Sequence, residues 1–244
     1  MPIRLFLHGV PETAAVWDEL APAVSGDVHR LSLPGFGTPV PAGFDRSMHA
    51  YADWLVEQIA SFGEPVDLVG HDWGGILTAR IATLSPPGLR SWVTDAPGAL
   101  RPEFRWHDLA QLWITPGAGE EFFEGMMADR AGSAELLGAY GLSPEHARSI
   151  VDAVDQTMAD SILALYRSSD GLGTEWVATG PSDTPGLVVA CADDPLGSVP
   201  VAESMATLMG AGLTVLETGG HFWPLEAAAP AAAALDAFWA GLDA

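Results

Sequence analysis

Residues Val69-Gly70-His71-Asp72-Trp73-Gly74-Gly75 decide how this chain folds. The apolar run of Val66, Leu68 and Val69 reads as a strand, and the stretch from Gly75 to Leu84 reads as a helix. The residues between them must then form a tight strand-to-helix turn with Asp72 at its apex, a nucleophile elbow. Glycines two positions either side of the apex, Gly70 and Gly74, suit that turn, because the apex residue is strained and a Cβ at either flank would crowd it. The presented group is a carboxylate. A carboxylate is a poor nucleophile for acyl transfer but a competent one for displacement at saturated carbon, where it yields an ester of the enzyme that water must later cleave. Epoxides and carbon–halogen bonds fit that chemistry. Gly-x-Asp-x-Gly also occurs in ordinary turns, so the rest of the chain has to decide.

Outward from the elbow, strand-like runs occur at Ile3–Leu7, Val28–Leu33, Val66–Val69, Leu89–Asp95, Leu187–Cys191 and Leu213–Leu216. Several are rich enough in Val, Ile and Leu to be buried on both faces. Helical patterns alternate with them at Trp17–Val24, Ser47–Phe62, Gly75–Leu84, Pro200–Leu208 and Ala227–Leu242, with Asp45 or Ser47 placed to cap the second. Alternation of this kind predicts a parallel α/β sheet. The stretch from Leu100 to Gly180 breaks it, holding helical patterns, no convincing strand and too many residues for a connection. It reads as a helical cap, residues 100–180, inserted into a core domain of residues 1–99 and 181–244.

The 244 residues suit one large α/β domain, and 48% hydrophobic with 17% charged residues predicts a compact globule. With 32 acidic against 10 basic residues the formal charge is −22, which repels nucleic-acid backbones and anionic membrane surfaces. Neither is expected as a partner. Cys191 is the sole cysteine, so no internal disulfide forms. Together with a strand that begins at Ile3 and no long apolar stretch before it, this points to a cytoplasmic protein.

Three further motifs accompany the elbow. His8-Gly9-Val10-Pro11 follows the first strand, Leu33-Pro34-Gly35-Phe36-Gly37 the second, and Gly219-Gly220-His221-Phe222-Trp223 the last. Together they resemble the α/β-hydrolase superfamily over essentially the whole chain. Gly-His-Asp-Trp-Gly-Gly is similar to the epoxide hydrolase and haloalkane dehalogenase branch, in which the nucleophile is aspartate. Only seven residues precede His8, so the antiparallel hairpin that usually opens this fold is expected to be absent. The sheet should have six parallel strands and an exposed edge at Val28–Leu33, which a second copy could cover in a homodimer.

Hydrolysis of an aspartyl ester needs a base that activates water. His221, in the loop beyond the last strand, carries an imidazole suited to that task near neutral pH. Of the other histidines, His8 and His71 are expected to brace their loops, and His29, His49 and His146 to be structural or solvated. His107 belongs to the pocket or to the cap's own structure. A carboxylate must orient the imidazole. Cys191-Ala192-Asp193-Asp194-Pro195 resembles the family's Gly-x-x-Asp-Pro pattern and implies Asp194, with Asp193 adjacent. Asp95 is a rival, since it ends the fourth strand, where some haloalkane dehalogenases carry their acid. The turn after the first strand and the elbow should supply an oxyanion hole from the backbone N–H groups of Val10 and Trp73.

Epoxide opening needs a proton donor at the oxygen. The dipeptide Tyr166-Arg167 resembles the lid Tyr-Arg pair of epoxide hydrolases, and also a pair in some fluoroacetate dehalogenases; Tyr140 is a second phenol. Trp106, Trp113, Phe122 and Phe123 make the cap aromatic and imply a small apolar or aromatic substrate, with Trp106, His107, Trp113 and Tyr140 against it. Neither a metal-ligand cluster nor a dinucleotide loop is visible, so no metal and no cofactor are expected. The resemblance implies a cofactor-independent epoxide hydrolase with Asp72, Asp194, His221 and Tyr166 as its catalytic residues. A haloalkane dehalogenase is the alternative, favoured by Trp73 as a halide donor and opposed by Val10, where dehalogenases often carry asparagine. A non-catalytic small-molecule-binding protein on the same fold would have no need to keep such a triad, and a serine esterase is opposed by Asp72.

Overall fold

The computed structural model describes residues 2–138 and 140–243. In chain order the elements are β1 (Ile3–Leu7), β2 (Asp27–Leu31), α1 (Met48–Ser61), β3 (Val66–Gly70), α2 (Trp73–Leu84) and β4 (Leu89–Thr94). There follow α3 (Asp108–Ile114), α4 (Ala118–Ala128), α5 (Arg130–Gly138), α6 (Pro144–Ala153), α7 (Gln156–Ser168) and α8 (Leu172–Glu175). The chain closes with β5 (Gly186–Cys191), α9 (Val199–Met209), β6 (Gly212–Leu216), α10 (Trp223–Glu226) and α11 (Ala228–Leu242). Six strands form one sheet in the order β2-β1-β3-β4-β5-β6, every neighbouring pair parallel. This is the six-stranded parallel α/β-hydrolase architecture expected.

The period-two alternation of the strands explains the two cores. Leu5, Leu7 and Leu68 face one side and pack with Tyr51, Leu55 and Ile76 of α1 and α2. Phe6, Val69 and Val93 face the other and meet Trp17, Leu235 and Trp239. β3 is buried along its whole length. Helix α1 buries Met48, Tyr51, Ala52, Leu55 and Ile59, a 3.6-residue stripe, and the Ser47 hydroxyl caps it by accepting from Ala50 N. The alanines of α11 let it lie close on the second face.

Two expectations change. The segment Trp17–Val24 is no α-helix: it holds part of one 3-10 turn, Ala14–Trp17, and another at Ala21–Ala23. Pro22 has no N–H for an i to i−4 bond, so a helix through it would be broken. Helix α2 begins at Trp73, not Gly75, because the carbonyl of Asp72 already accepts from Ile76 N at 2.8 Å.

Edge strand β2 is guarded by charge. His29 pairs with Asp27 at 3.2 Å, and Arg30 reaches Asp18. Such charges disfavour pairing with another strand. Between β4 and β5 the described residues form α3 to α8 and no strand. No described helix is long and apolar enough to cross a membrane.

Register places the site. Leu7 pairs with Gly70, and Gly70 with Thr94, so β1, β3 and β4 end level. The turns carrying Val10, Asp72 and Asp95 therefore converge at the carboxyl ends of the strands, where open parallel sheets bind ligands.

Candidate active site

Asp72 has φ 51° and ψ −119°, a conformation that non-glycine residues seldom adopt. Close backbone contact enforces it. A Cβ on Gly70 would lie 2.1 Å from the Gly74 carbonyl oxygen, and one on Gly74 would lie 2.2 Å from that of Leu7. Gly9 is equally confined, since its Cβ would fall 2.2 Å from Asp72 Oδ1.

The two oxygens of Asp72 have different surroundings. Oδ1 accepts from the backbone N–H of Val10 at 2.8 Å. Oδ2 faces His221 Nε2 at 3.8 Å, beyond hydrogen-bonding range. The Trp73 N–H, the other donor expected of an oxyanion hole, heads α2 without a hydrogen bond to the carboxylate. Burial pushes the Asp72 carboxyl up to about 6, against the opposing His221 charge.

His221 comes from the loop after β6, and its Nδ1–H donates to Asp194 Oδ2 at 3.3 Å. Asp194 is fixed in turn, because Oδ1 accepts from Leu196 N at 2.8 Å. Asp194 and not its exposed neighbour Asp193 meets the ring. Burial favours the neutral imidazole, but the Asp194 hydrogen bond and the nearby carboxylates hold the His221 pKa above its ordinary value. Burial would lift the Asp194 carboxyl; the bond to His221 reverses this and holds it low.

Asp95, the rival acid, lies elsewhere. Its Oδ1 accepts from Asp72 N at 3.0 Å, while Oδ2 accepts from His71 Nδ1 at 2.5 Å and Trp223 Nε1 at 2.8 Å. His71 Nε2 donates to Glu12 at 3.1 Å, and the other Glu12 oxygen accepts from Gly9 N at 3.0 Å. Glu12 is fully buried and was missed by the sequence reading. The available signal was its place two residues beyond the Val10 turn. Burial opposes the charge on His71, yet Glu12 and Asp95 raise its pKa well above normal, so it is an imidazolium.

His8 braces its loop as expected: Nε2 accepts from Leu33 N at 3.1 Å and Nδ1–H donates to the Gly9 carbonyl at 2.8 Å. His29, His49 and His146 have partners that sequence did not reveal, namely Asp27, Glu175 and Glu226. The last joins α6 to α10, with Ser143 N also on Glu226.

Asp72 and His221 line two cavities. The smaller, about 50 Å³, is bounded by Val10, Trp113, Tyr140, Tyr166 and Phe222. The larger, about 420 Å³, runs past Asp95, Arg101, Trp106 and Asp194 to the protein surface. His107 lines both, and its ring also caps α3 by accepting from Ala110 N at 3.3 Å. Tyr166 is held by edge-on or tilted rings, with Trp106 at 4.8 Å, Trp113 at 5.0 Å and Trp73 at 5.4 Å between centroids. Burial first, and the Asp72 charge second, raise its phenol well above the ordinary value, so it stays a donor at neutral pH. Arg167, its neighbour in sequence, instead makes a bidentate bond to Glu120 at 2.8 Å for each contact and ties α7 to α4. No group of three or more His, Cys, Asp or Glu side chains among the described residues is arranged to hold a metal ion.

A parallel sheet with a strand-to-helix elbow, a histidine loop after the last strand and helices inserted after β4 defines an α/β hydrolase. A sequence model of the alpha/beta hydrolase family matches residues 5–235, and the chain belongs to that family. No curated protein sequence matches it. Among solved structures it is similar to the haloalkane dehalogenase DbeA from Bradyrhizobium elkani, at 23% identity and a TM-score of 0.75, over 99% of this chain and 91% of that one. A proposed epoxide hydrolase from Pseudomonas aeruginosa is similar at 20% identity and a TM-score of 0.76, over 99% of this chain and 89% of the other. At these identities the likeness is one of fold.

Proposed function

We propose that the protein is a cofactor-independent epoxide hydrolase in which α3 to α8 cap the reaction chamber. Asp72 Oδ2 attacks an epoxide carbon while the Tyr166 hydroxyl donates to the opening oxygen, giving an aspartyl ester. Oδ1 remains as the ester carbonyl against Val10 N–H, with the Trp73 N–H at the helix start as the second donor when charge develops there. His221, oriented by Asp194, removes a proton from water as that water attacks the ester carbonyl. The ester C–O bond breaks, the departing alkoxide takes the His221 proton to complete the vicinal diol, and the re-formed Asp72 carboxyl returns its proton to the Tyr166 phenolate, restoring all three groups. The observation that carries this reading is a phenol held as a donor in the same small chamber as the nucleophile. Tyr140 lines that chamber as a second phenol. We place the reaction in the cytoplasm, with a small apolar or aromatic substrate.

A haloalkane dehalogenase is the second reading. The buried indole N–H of Trp113 has no hydrogen-bond partner among the described residues and that of Trp73 has none but a loose approach to the Tyr166 hydroxyl, and such donors suit a departing halide. One experiment separates the two. In a His221→Gln background, styrene oxide should add its whole mass to Asp72, because the ester forms but is not hydrolysed. Adding Tyr166→Phe should slow that adduct on the order of 10²-fold, the usual worth of a general acid. An adduct formed at an unchanged rate, or one formed only from a haloalkane, rejects the epoxide assignment.

A further inference from the structure

The larger chamber beside Asp72 contains cations that the proposed reaction does not use. The chain has 10 basic residues against 32 acidic ones, so cations are scarce. Arg4, Arg30, Arg90 and Arg167 are each tied to a carboxylate; of the six arginines without an ion pair among the described residues, Arg101 and Arg105 are the two that line this chamber. Half-buried Arg101 and exposed Arg105 line the chamber that ends on Asp72 and His221, Arg105 at its mouth beside Glu103, and their side-chain bonds go to backbone carbonyls alone. Arg101 Nε donates to Gly98 O at 3.3 Å; Arg105 Nη1 donates to Pro102 O at 3.2 Å and Phe104 O at 2.6 Å. Both Nη groups of Arg101, and Nη2 and Nε of Arg105, are left without a protein acceptor among the described residues.

The acids on the same wall are already engaged. Asp95 accepts from His71, Trp223 and the Asp72 N–H, and Asp194 from His221 and Leu196 N. Glu103, exposed at the mouth, is the remaining lining carboxylate. The net charge of −22 repels anions from a distance, but salt screens that field beyond roughly 8–10 Å, so the guanidinium groups along the chamber wall and at its mouth decide what happens there. Guanidinium forks match carboxylate geometry, and charge-assisted bonds of this kind are the strong ones. Size adds to the argument. The Tyr166 chamber, at about 50 Å³, takes a small reactive group, which leaves the body of the substrate to the chamber of about 420 Å³ that holds both arginines.

We propose that Arg101 and Arg105 form an anion subsite, and that the substrate of Asp72 bears a carboxylate on the arm filling the larger chamber. A monoanion is specified because Asp72, Asp95 and Asp194 border the same space. The inference rests on that chamber being the substrate site, but it can be measured without turnover.

The test compares hexanoate, hexanamide and hexylammonium, similar in shape and differing in charge, by ligand-observed NMR titration of the intact wild-type protein. Hexanoate should bind about tenfold or more tightly than hexanamide, the range expected of bonds to a charged group, and hexylammonium most weakly. Arg101→Gln with Arg105→Gln should bring hexanoate to parity with hexanamide, while an unchanged circular-dichroism spectrum and urea midpoint certify that the fold is intact. Equal binding of hexanoate and hexanamide to the wild type, a preference for hexylammonium, absence of binding by all three, or a hexanoate preference surviving in the double variant each overturns the subsite. Hexanoate preference without turnover of any epoxide would leave the subsite standing and sink the epoxide reading. Turnover of neutral epoxides with no hexanoate preference would do the reverse.

Discussion

Two carboxylate–imidazole–carboxylate triplets lie side by side in this protein, their rings 5.0 Å apart at His71 and His221. In the inner triplet His71 is clamped between Glu12 at 3.1 Å and Asp95 at 2.5 Å, and the side chains of His71 and Glu12 are 0% exposed. In the outer one His221 spans Asp194 at 3.3 Å and Asp72 at 3.8 Å, with 10%, 16% and 18% exposure respectively. The groups are alike, but their spacing and access differ. Every polar hydrogen of the inner ring is committed, so its charge is fixed and it pins the Gly9 turn, the elbow and the end of β4 together. The outer ring has one link too long to be a hydrogen bond and opens on both cavities. An imidazole with an uncommitted nitrogen beside an accessible carboxylate can move a proton. The inner charge also acts on the outer ring, because the His71 cation opposes protonation of His221.

Exchanging the roles of the two acids is the severest way to break this contrast. Asp194→Asn removes the charge that orients His221 and offsets its protonation, and should lower steady-state turnover by about 10⁴-fold, the loss seen when a triad acid is replaced by its amide. Asp95→Asn can keep its one carbonyl oxygen on Asp72 N, but its NH2 then faces the His71 and Trp223 N–H donors. Turnover should change by less than about tenfold while stability falls, since buried His71 loses both an acceptor and a counter-charge. The measurement is diol formation for both variants beside their urea midpoints. The opposite ranking would move catalysis to Asp95 and dissolve the distinction between inner and outer triplets.

His71→Gln probes the inner triplet directly. It retains a side chain that can donate but strands two buried carboxylates without a cation, a change worth about 3–5 kcal/mol when a buried pair is broken. The pH dependence has a definite sign. Because its folded pKa is raised, His71 contributes stability that is complete below its unfolded value of 6.5 and is lost as pH rises through the higher folded one. Glu12 is held low despite its burial, by the His71 charge, so its contribution is complete above 4.5 and is lost as pH falls through the lower folded value. Urea unfolding should therefore show the largest gap between wild type and variant from pH 4.5 to 6.5. A gap that is flat from pH 4 to 9 would mean that the triplet is not ionised as described.

How far the sequence revealed this arrangement follows from the range of the interactions involved. The sheet, its order of elements and the elbow were legible because apolar periodicity and the glycines at 70 and 74 are local constraints. The convergence of Asp72, His221 and Asp194 was legible because each follows a strand inside a short motif. Glu12 was not, since its partner His71 lies 59 residues away and no local pattern marks a glutamate as buried. Asp95 was noticed for its place at the end of β4, but its partners, His71, Trp223 and the Asp72 amide, are supplied by register. The anchoring of His146 on Glu226 joins segments 80 residues apart and was equally invisible.

The smallest expected effect concerns the openness of the outer triplet. Attack needs Asp72 ionised, and burial, only partly offset by the His221 charge, lifts its carboxyl to about 6. The single-turnover alkylation rate of the wild type should therefore be half-maximal near pH 6 and fall about tenfold for each further unit of acidity, once protonation removes the nucleophile. Hydrolysis of the ester should follow a different limb. Esterification abolishes the Asp72 charge that helps raise the His221 pKa, so the imidazole becomes less basic in the intermediate and stays neutral to lower pH than in the free enzyme. Rapid-quench measurements of ester formation and decay between pH 4.5 and 8.5 distinguish the two steps. An alkylation limb near pH 4 would mean that Asp72 is as solvated as an ordinary surface carboxylate, and the picture of an outer carboxylate open to both cavities yet still tuned by its surroundings would have to be given up.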